Sequence, residues 1–368
     1  MKEQKSQVDR LISRVRHNPV TALVLLLASI VIGFATFTDA VKKLVNLVSR
    51  SVQSEEARVE LGKLSLSYSP DDFVNSARVG DLAAVKLFLA AGMDPNIKGS
   101  KFQSNTALIE AVHNGHAAVI KVLLEAKANV NLKNYDGSTA LIEAVIKKDT
   151  ETLSALVRAG ATVETIDRAF VVAADRGNTD MLRMLWEKGI DRDKVGREAL
   201  VSVAQGYRIN DEEANRTVRF LLSLGVDVNA RDDGYTALQR AARGGKSLVA
   251  KTLLDAGADI NATCDCKESD RAYTPLMLAT IYEYHDLFQL LLAKGADVNK
   301  RNDYDGRTVL MFAAYRDEAT IRAVLGRSPR LNDRDNDGET ALAIAQESLK
   351  EGHSSRGVVR ALREAGAK

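Results

Sequence analysis

Cysteine is nearly absent: the 368-residue chain has two, Cys264 and Cys266, one residue apart. A bridge between them closes a small strained ring and joins nothing distant, so no disulfide framework holds this protein. No second Cys or His pair stands nearby at metal spacing and His285 is alone, which leaves a zinc site without ligands. An excess of one charge is missing too, since 51 Lys and Arg face 49 Asp and Glu. Residues 1–50 hold eight basic side chains (Lys2, Lys5, Arg10, Arg14, Arg16, Lys42, Lys43, Arg50) and three acids (Glu3, Asp9, Asp39), a balance of +5 that leaves −3 for the rest. That remainder lacks the positive charge that drives nucleic-acid binding, so no nucleic-acid partner is expected. Gly-rich phosphate loops, nucleophile elbows and paired catalytic carboxylates are absent from contexts that support them. No catalytic residue, cofactor, metal or small-molecule substrate is therefore expected.

Long uncharged runs are also missing, with one exception. From Asn18 to Thr38 no residue is charged. About 20 residues at 1.5 Å each span a hydrocarbon core of roughly 30 Å. A core helix has a polar face, and this segment has none. A cleaved signal peptide has a shorter apolar stretch and a small-x-small site, and neither fits here. The expectation is an uncleaved single-pass anchor at residues 18–39, after a basic tail at 1–17. Beyond it, Val41, Leu44, Val45, Leu47, Val48 and Val52 form an apolar stripe at helical spacing beside Lys42, Lys43 and Arg50. The 40–68 segment reads as an amphipathic juxtamembrane helix, either lying on the headgroups or standing as a stalk.

The rest of the chain is repetitive. The segment TALIEAVHNGHAAVIKVLLEAKANVN from Thr106 returns 33 residues later as TALIEAVIKKDTETLSALVRAGATVE from Thr139, and drifting copies start at Thr236, Thr274, Thr308 and Thr340. A fixed period of this length signifies a stacked repeat array, in which each unit touches only its neighbours. Each copy has Thr, a small residue or Pro, Leu, and Ala three residues on, then a Leu-rich helix ending in Gly-Ala and Asn. This pattern resembles the ankyrin repeat. The resemblance implies an all-α solenoid of about nine helix-turn-helix units with short β-hairpin fingers, over residues 69–368. Thr caps each first helix, the Gly at Gly160, Gly257 and Gly295 ends the second in the left-handed conformation, and Asp136-Gly137, Asp305-Gly306 and Asp337-Gly338 turn the fingers. A first unit runs from Phe73 after a start at Ser69-Pro70-Asp71-Asp72. A copy from Ala169 is degenerate, and one from Glu198 carries extra residues around Tyr207 to Asn215.

Two metal-like patterns have plainer readings. Asp333-Arg334-Asp335-Asn336-Asp337-Gly338 opens like a calcium loop, but the twelfth position is Ile344 where a bidentate Glu is needed. His113-Asn114-Gly115-His116 sets two His three apart without further ligands. The functional signal is sought in a surface. In ankyrin repeats the residue two after the conserved Leu is expected to face the concave groove, and here that position reads Glu110, Glu143, Ser202, Arg240, Leu278, Phe312, Ile344. It turns apolar in the last three copies, where Tyr273, Tyr282, Tyr284, Tyr304 and Tyr315 also concentrate. Exposed aromatics of this kind anchor protein partners.

The resulting expectation is a non-enzymatic, membrane-tethered scaffold binding a protein partner through Tyr273, Leu278, Tyr282, Tyr304, Phe312, Tyr315 and Ile344. The alternatives are a structural organiser of an envelope, or an accessory protein that occludes a partner enzyme. The expected location is a bacterial inner membrane. Five basic residues before the anchor against three after it favour the array on the non-cytoplasmic side, whereas the ankyrin resemblance pulls toward the cytosol.

Overall fold

The computed structural model describes residues 38–101, 103–264, 272–352 and 355–368. The anchor expected at 18–39 lies outside them but for its last two residues. Among the described residues no helix is long and apolar enough to cross a membrane. The chain divides into two compact units, Met1–Ala161 and Thr162–Lys368.

Unit 1 contains α1 (Thr38–Lys63), α2 (Pro70–Val79), α3 (Leu82–Ala90), α4 (Ala107–His113), α5 (Ala117–Glu125), α6 (Ala140–Lys147) and α7 (Thr150–Arg158). The expected start at Ser69 is observed: its hydroxyl accepts from the Asp72 N–H at 3.2 Å, with Pro70 in the first turn. Thr106 and Thr139 cap α4 and α6 in the same way, each accepting from an N–H three residues on at 3.3 Å. The small alanines of the motif, Ala77, Ala111 and Ala144, are buried between successive inner helices. A stalk free of the array is not what the end of α1 forms. Ala57 and Leu61 are buried, Ser54 donates to the Ala91 carbonyl at 2.8 Å, and α1 packs on α3. Its last turns thus cover the apolar flank that an end repeat leaves without a neighbour.

Unit 2 contains α8 (Val163–Asp175), α9 (Thr179–Trp186), α10 (Arg192–Gln205), α11 (Asp211–Ser223), β1 (Arg231–Asp232), β2 (Tyr235–Thr236), α12 (Ala237–Arg243), α13 (Ser247–Asp255), α14 (Pro275–Ile281), α15 (His285–Ala293), α16 (Val309–Ala313), α17 (Glu318–Leu325), α18 (Ala341–Lys350) and α19 (Arg356–Glu364). The described helices from α2 onward make nine pairs, as the repeat count requires. Strand β1 pairs antiparallel with β2, Arg231 opposite Thr236, in a hairpin finger.

Two fingers are missing. Only residues 159–162 link α7 to α8 and only 187–191 link α9 to α10, whereas 224–236 separate α11 from α12 and 294–308 separate α15 from α16. The chain that would fold into a finger is helical instead. Helices α8 and α10 run for 13 and 14 residues, against 7 in α12, because Thr162 and Asp191 cap them about two turns early. The extra residues around Tyr207 to Asn215 are partly helix as well: Asn210 caps α11 by accepting from the Glu213 N–H at 2.9 Å, and Glu212 and Glu213 fill a favourable first turn.

Candidate interaction surface

The row expected to face a groove is largely inside the protein. Glu110, Glu143, Leu278 and Ile344 are buried and Phe312 is 8% exposed, while Ser202 and Arg240 are half-buried. The reason is that fingers and neighbouring helices close over this position. Glu110 accepts from Asn105 Nδ2 at 2.7 Å and Asn114 Nδ2 at 3.3 Å. Glu143 accepts from Ser138 Oγ at 2.7 Å and lies 2.9 Å from His113 Nδ1. Arg240 places its guanidinium 3.8 Å above the Tyr235 ring, and Phe312 meets Tyr273 edge-on at 5.4 Å. Leu278, Phe312 and Ile344 are therefore packing residues with little surface to offer a partner, which corrects the expected geometry.

Three of the expected residues are outside. Tyr282, Tyr304 and Tyr315 are 43%, 60% and 36% exposed. Each is placed by rigid structure. Tyr282 ends α14 and stacks on Tyr284 at 6.1 Å, and Tyr284 in turn leans on Gly245, where a Cβ would lie 2.7 Å from its ring. Tyr315 follows α16 beside Arg316, whose guanidinium pairs with Glu283 and donates to the Ile281 carbonyl, fixing the turn after α16 to the turn after α14. Asp317 caps α17 by accepting from the Thr320 N–H at 2.7 Å; that bond holds its carboxyl below the usual range. Tyr304 rides a finger turn in which Asn302 Oδ1 accepts from the Asp305 and Gly306 N–H groups, and its carbonyl accepts from Asn336.

The calcium-like loop is a finger of the same kind. Asp335 is fully enclosed, accepting from the Asp337 and Glu339 N–H groups at 3.1 and 2.8 Å and from Arg307 Nε at 3.0 Å. One of its oxygens is engaged by the loop itself and the other by Arg307 of the preceding finger. The histidine pair diverges: His113 turns to Glu143, whereas His116 Nε2 sits 2.9 Å from the Arg78 carbonyl. Cys264 is disulfide-bonded, and Cys266 lies outside the described residues.

The most exposed aromatic among the described residues, Tyr135, was not among the expected ones. It is 86% exposed at the tip of a unit 1 finger. Its signal was present in the sequence, since Tyr-Asp-Gly recurs at Tyr135 and Tyr304 and puts a ring at the outer end of a tight turn.

Thr-capped inner helices, Gly-terminated outer helices and Asp-Gly fingers define the architecture, and the family of ankyrin repeats (3 copies) matches residues 73–167, 170–264, 208–302 and 276–368. The chain belongs to the ankyrin repeat family. It is 27% identical over 299 residues to the ankyrin repeat and KH domain-containing protein mask-1 of Caenorhabditis elegans, covering 79% of this chain and 11% of that protein. It is 31% identical over 182 residues to the transient receptor potential cation channel subfamily A member 1 homolog of the same organism, covering 48% of this chain and 14% of that one. An L-asparaginase of Dirofilaria immitis is 31% identical over 160 residues, 42% of this chain and 25% of that one. The chain thus spans a quarter or less of each of these relatives. Ankyrin repeats point to protein–protein interaction and are typically non-catalytic.

Proposed function

We propose that this ankyrin protein is a membrane-tethered, non-enzymatic scaffold, held by residues 18–39, that binds a protein partner on the surface carrying Tyr282, Tyr304 and Tyr315. The observation that supports the reading is the exposure of three tyrosines on the last repeats, each set by a hydrogen-bonded turn. Tyrosine combines a large apolar ring with a polar tip at low entropic cost, which suits it to anchor a partner. Tyr273 packs on Phe312, and Leu278, Phe312 and Ile344 are buried within the same repeats. Tethering raises the partner's local concentration at the membrane without chemistry.

The test is affinity capture by the full chain in detergent, comparing wild type with Tyr282→Ala/Tyr304→Ala/Tyr315→Ala and with Tyr135→Ala/Tyr207→Ala. Loss of a discrete partner in the first variant alone supports the proposal. Equal retention in both variants, or equal loss, refutes this surface.

A further inference from the structure

Successive fingers are joined by asparagine side chains, and at Asn229 the joint has two points, one accepting and one donating. In unit 2, Asn229 Oδ1 accepts from the Asp259 N–H at 2.8 Å while its Nδ2 donates to the Gly257 carbonyl at 3.2 Å. Asn261, Asn299 and Asn332 accept from the N–H groups of Asp297, Arg330 and Lys368 at 2.9, 2.7 and 2.8 Å. In unit 1 the two halves of the contact occur at separate joints: Asn96 accepts from the Asn129 N–H at 2.7 Å, and Asn131 donates to the Gly160 carbonyl at 3.0 Å.

The series breaks where the finger between α9 and α10 is missing. The finger that begins at Leu224 has no predecessor to stack on. In the register of the next joint, the Asp227 N–H and the Gly225 carbonyl stand where Asp259 and Gly257 stand. Among the described residues, neither of these two groups has a hydrogen-bond partner. Beside them opens a cleft of about 440 Å³ whose walls include Trp186, Arg192, Asp193, Arg197, Val226 and Ala230. Its floor is rigid. Gly196 of α10 lets Val226 approach so closely that a Cβ there would fall 2.8 Å from Cγ2. Trp186 leans on Phe170 at 5.5 Å and carries the Arg192 guanidinium 5.2 Å above its ring.

We propose that this cleft is a second binding site, which receives an extended peptide segment of a partner protein bearing an asparagine. The side-chain carbonyl accepts from the Asp227 N–H and the amide donates to the Gly225 carbonyl, completing the joint that the missing finger leaves open. The two open groups are one donor and one acceptor, which a carboxamide matches at both ends. A carboxylate would set an oxygen against the Gly225 carbonyl. The ionic lining is balanced, Arg192 and Arg197 against Asp193 and Asp227, so it selects neither a strongly acidic nor a strongly basic segment. Trp186 offers a flat wall to the residue beside the asparagine.

Trp186 is the only tryptophan in the chain, so its emission reports on this cleft. The full chain in detergent is titrated with a synthetic peptide of sequence VNLKNYDG, a finger segment of the protein itself (residues 130–137), while tryptophan is excited selectively. The expected result is a saturable change in emission. Replacing the peptide's first asparagine by leucine should weaken it about tenfold or more, and Asp227→Pro, which removes the N–H, should do the same. Ala230→Phe, which fills the cleft without touching the joint, guards against misfolding of the proline variant and should also abolish the response. A response absent by both fluorescence and calorimetry, equal affinity for the leucine peptide, or an undiminished response in Ala230→Phe overturns the proposal. Concentration-dependent self-association that Ala230→Phe removes also overturns it, by assigning the cleft to a finger of a second copy.

Discussion

Phe312 and Tyr304 separate two roles that look alike in a sequence. Both are aromatic residues of the last repeats, yet the first is enclosed against Tyr273 and the second stands on a finger turn. Phe312→Ala empties a buried site and is expected to cost about 3 kcal/mol or more of stability. Tyr304→Ala removes a ring that is mostly in water and should stay within about 0.5 kcal/mol of wild type. Chemical denaturation followed by circular dichroism distinguishes them, and similar costs at both positions would contradict the assignment of packing and surface roles. Asp335 tests the fingers at the same scale. Its carboxylate is enclosed and engaged by two N–H groups and Arg307, so Asp335→Ala leaves donors unmatched and should destabilise by about 3 kcal/mol. A loss under 1 kcal/mol would show that the loop tolerates an empty centre.

At the scale of elements, the repeat boundaries were legible because each depends on a local signal: a capping Thr, a left-handed Gly, an Asp-Gly turn. The exchange of finger for helix in α8 and α10 was not. Thr162 and Asp191 are caps by residue type, but both follow the helix-ending Gly, at Gly160 and Gly189, in the same register as the finger-forming copies, and the spacing alone does not decide between helix and finger. The burial of the row from Glu110 to Ile344 was hidden for a related reason, since the spacing on a helix does not reveal which neighbouring finger covers it. The helical replacement has an electrostatic consequence. Asp167, Asp175, Glu198 and Asp232 all lie on or beside these longer helices, and all have carboxyl pKa values pushed up. Burial is the first cause in each case, with repulsion from Asp191 at Asp167, Asp175 and Asp232 at Glu198, and Asp233 at Asp232 adding to it. For an acid whose folded value is raised, the folded state binds more protons, so its contribution to stability declines as pH rises through the folded value. Asp255, bridged by Lys294 and Lys251 on α13, has the opposite shift, to about 2, and keeps its contribution until pH falls below the ordinary carboxylate range. Amide exchange corrected for intrinsic rate should therefore show α8 and α10 gaining protection relative to α13 on going from pH 7 to about pH 4.5. Unchanged relative protection would mean that water reaches those four carboxylates freely.

At the scale of the whole molecule, the proposed anchor at residues 18–39 carries a proposed sidedness, set by the charge placement around it. The positive-inside rule counts Lys and Arg near the ends of a span: Lys2, Lys5, Arg10, Arg14 and Arg16 precede the proposed one, and Lys42, Lys43 and Arg50 follow it. With that span in a membrane, as proposed, retaining the five-charge flank in the cytoplasm would send the array across it. The preference is small, because each side is basic, and so it should be reversible by few substitutions. A carboxy-terminal fusion to a reporter active only outside the cytoplasm is expected to be active in the wild-type chain. Arg10→Gln, Arg14→Gln and Arg16→Gln together leave two basic residues before the span against three after it, and should move activity to a cytoplasm-only reporter. Cytoplasmic reporter activity already in the wild-type chain would reverse the proposed sidedness, and activity of neither orientation in membrane fractions, with the fusion recovered soluble, would remove the anchor itself.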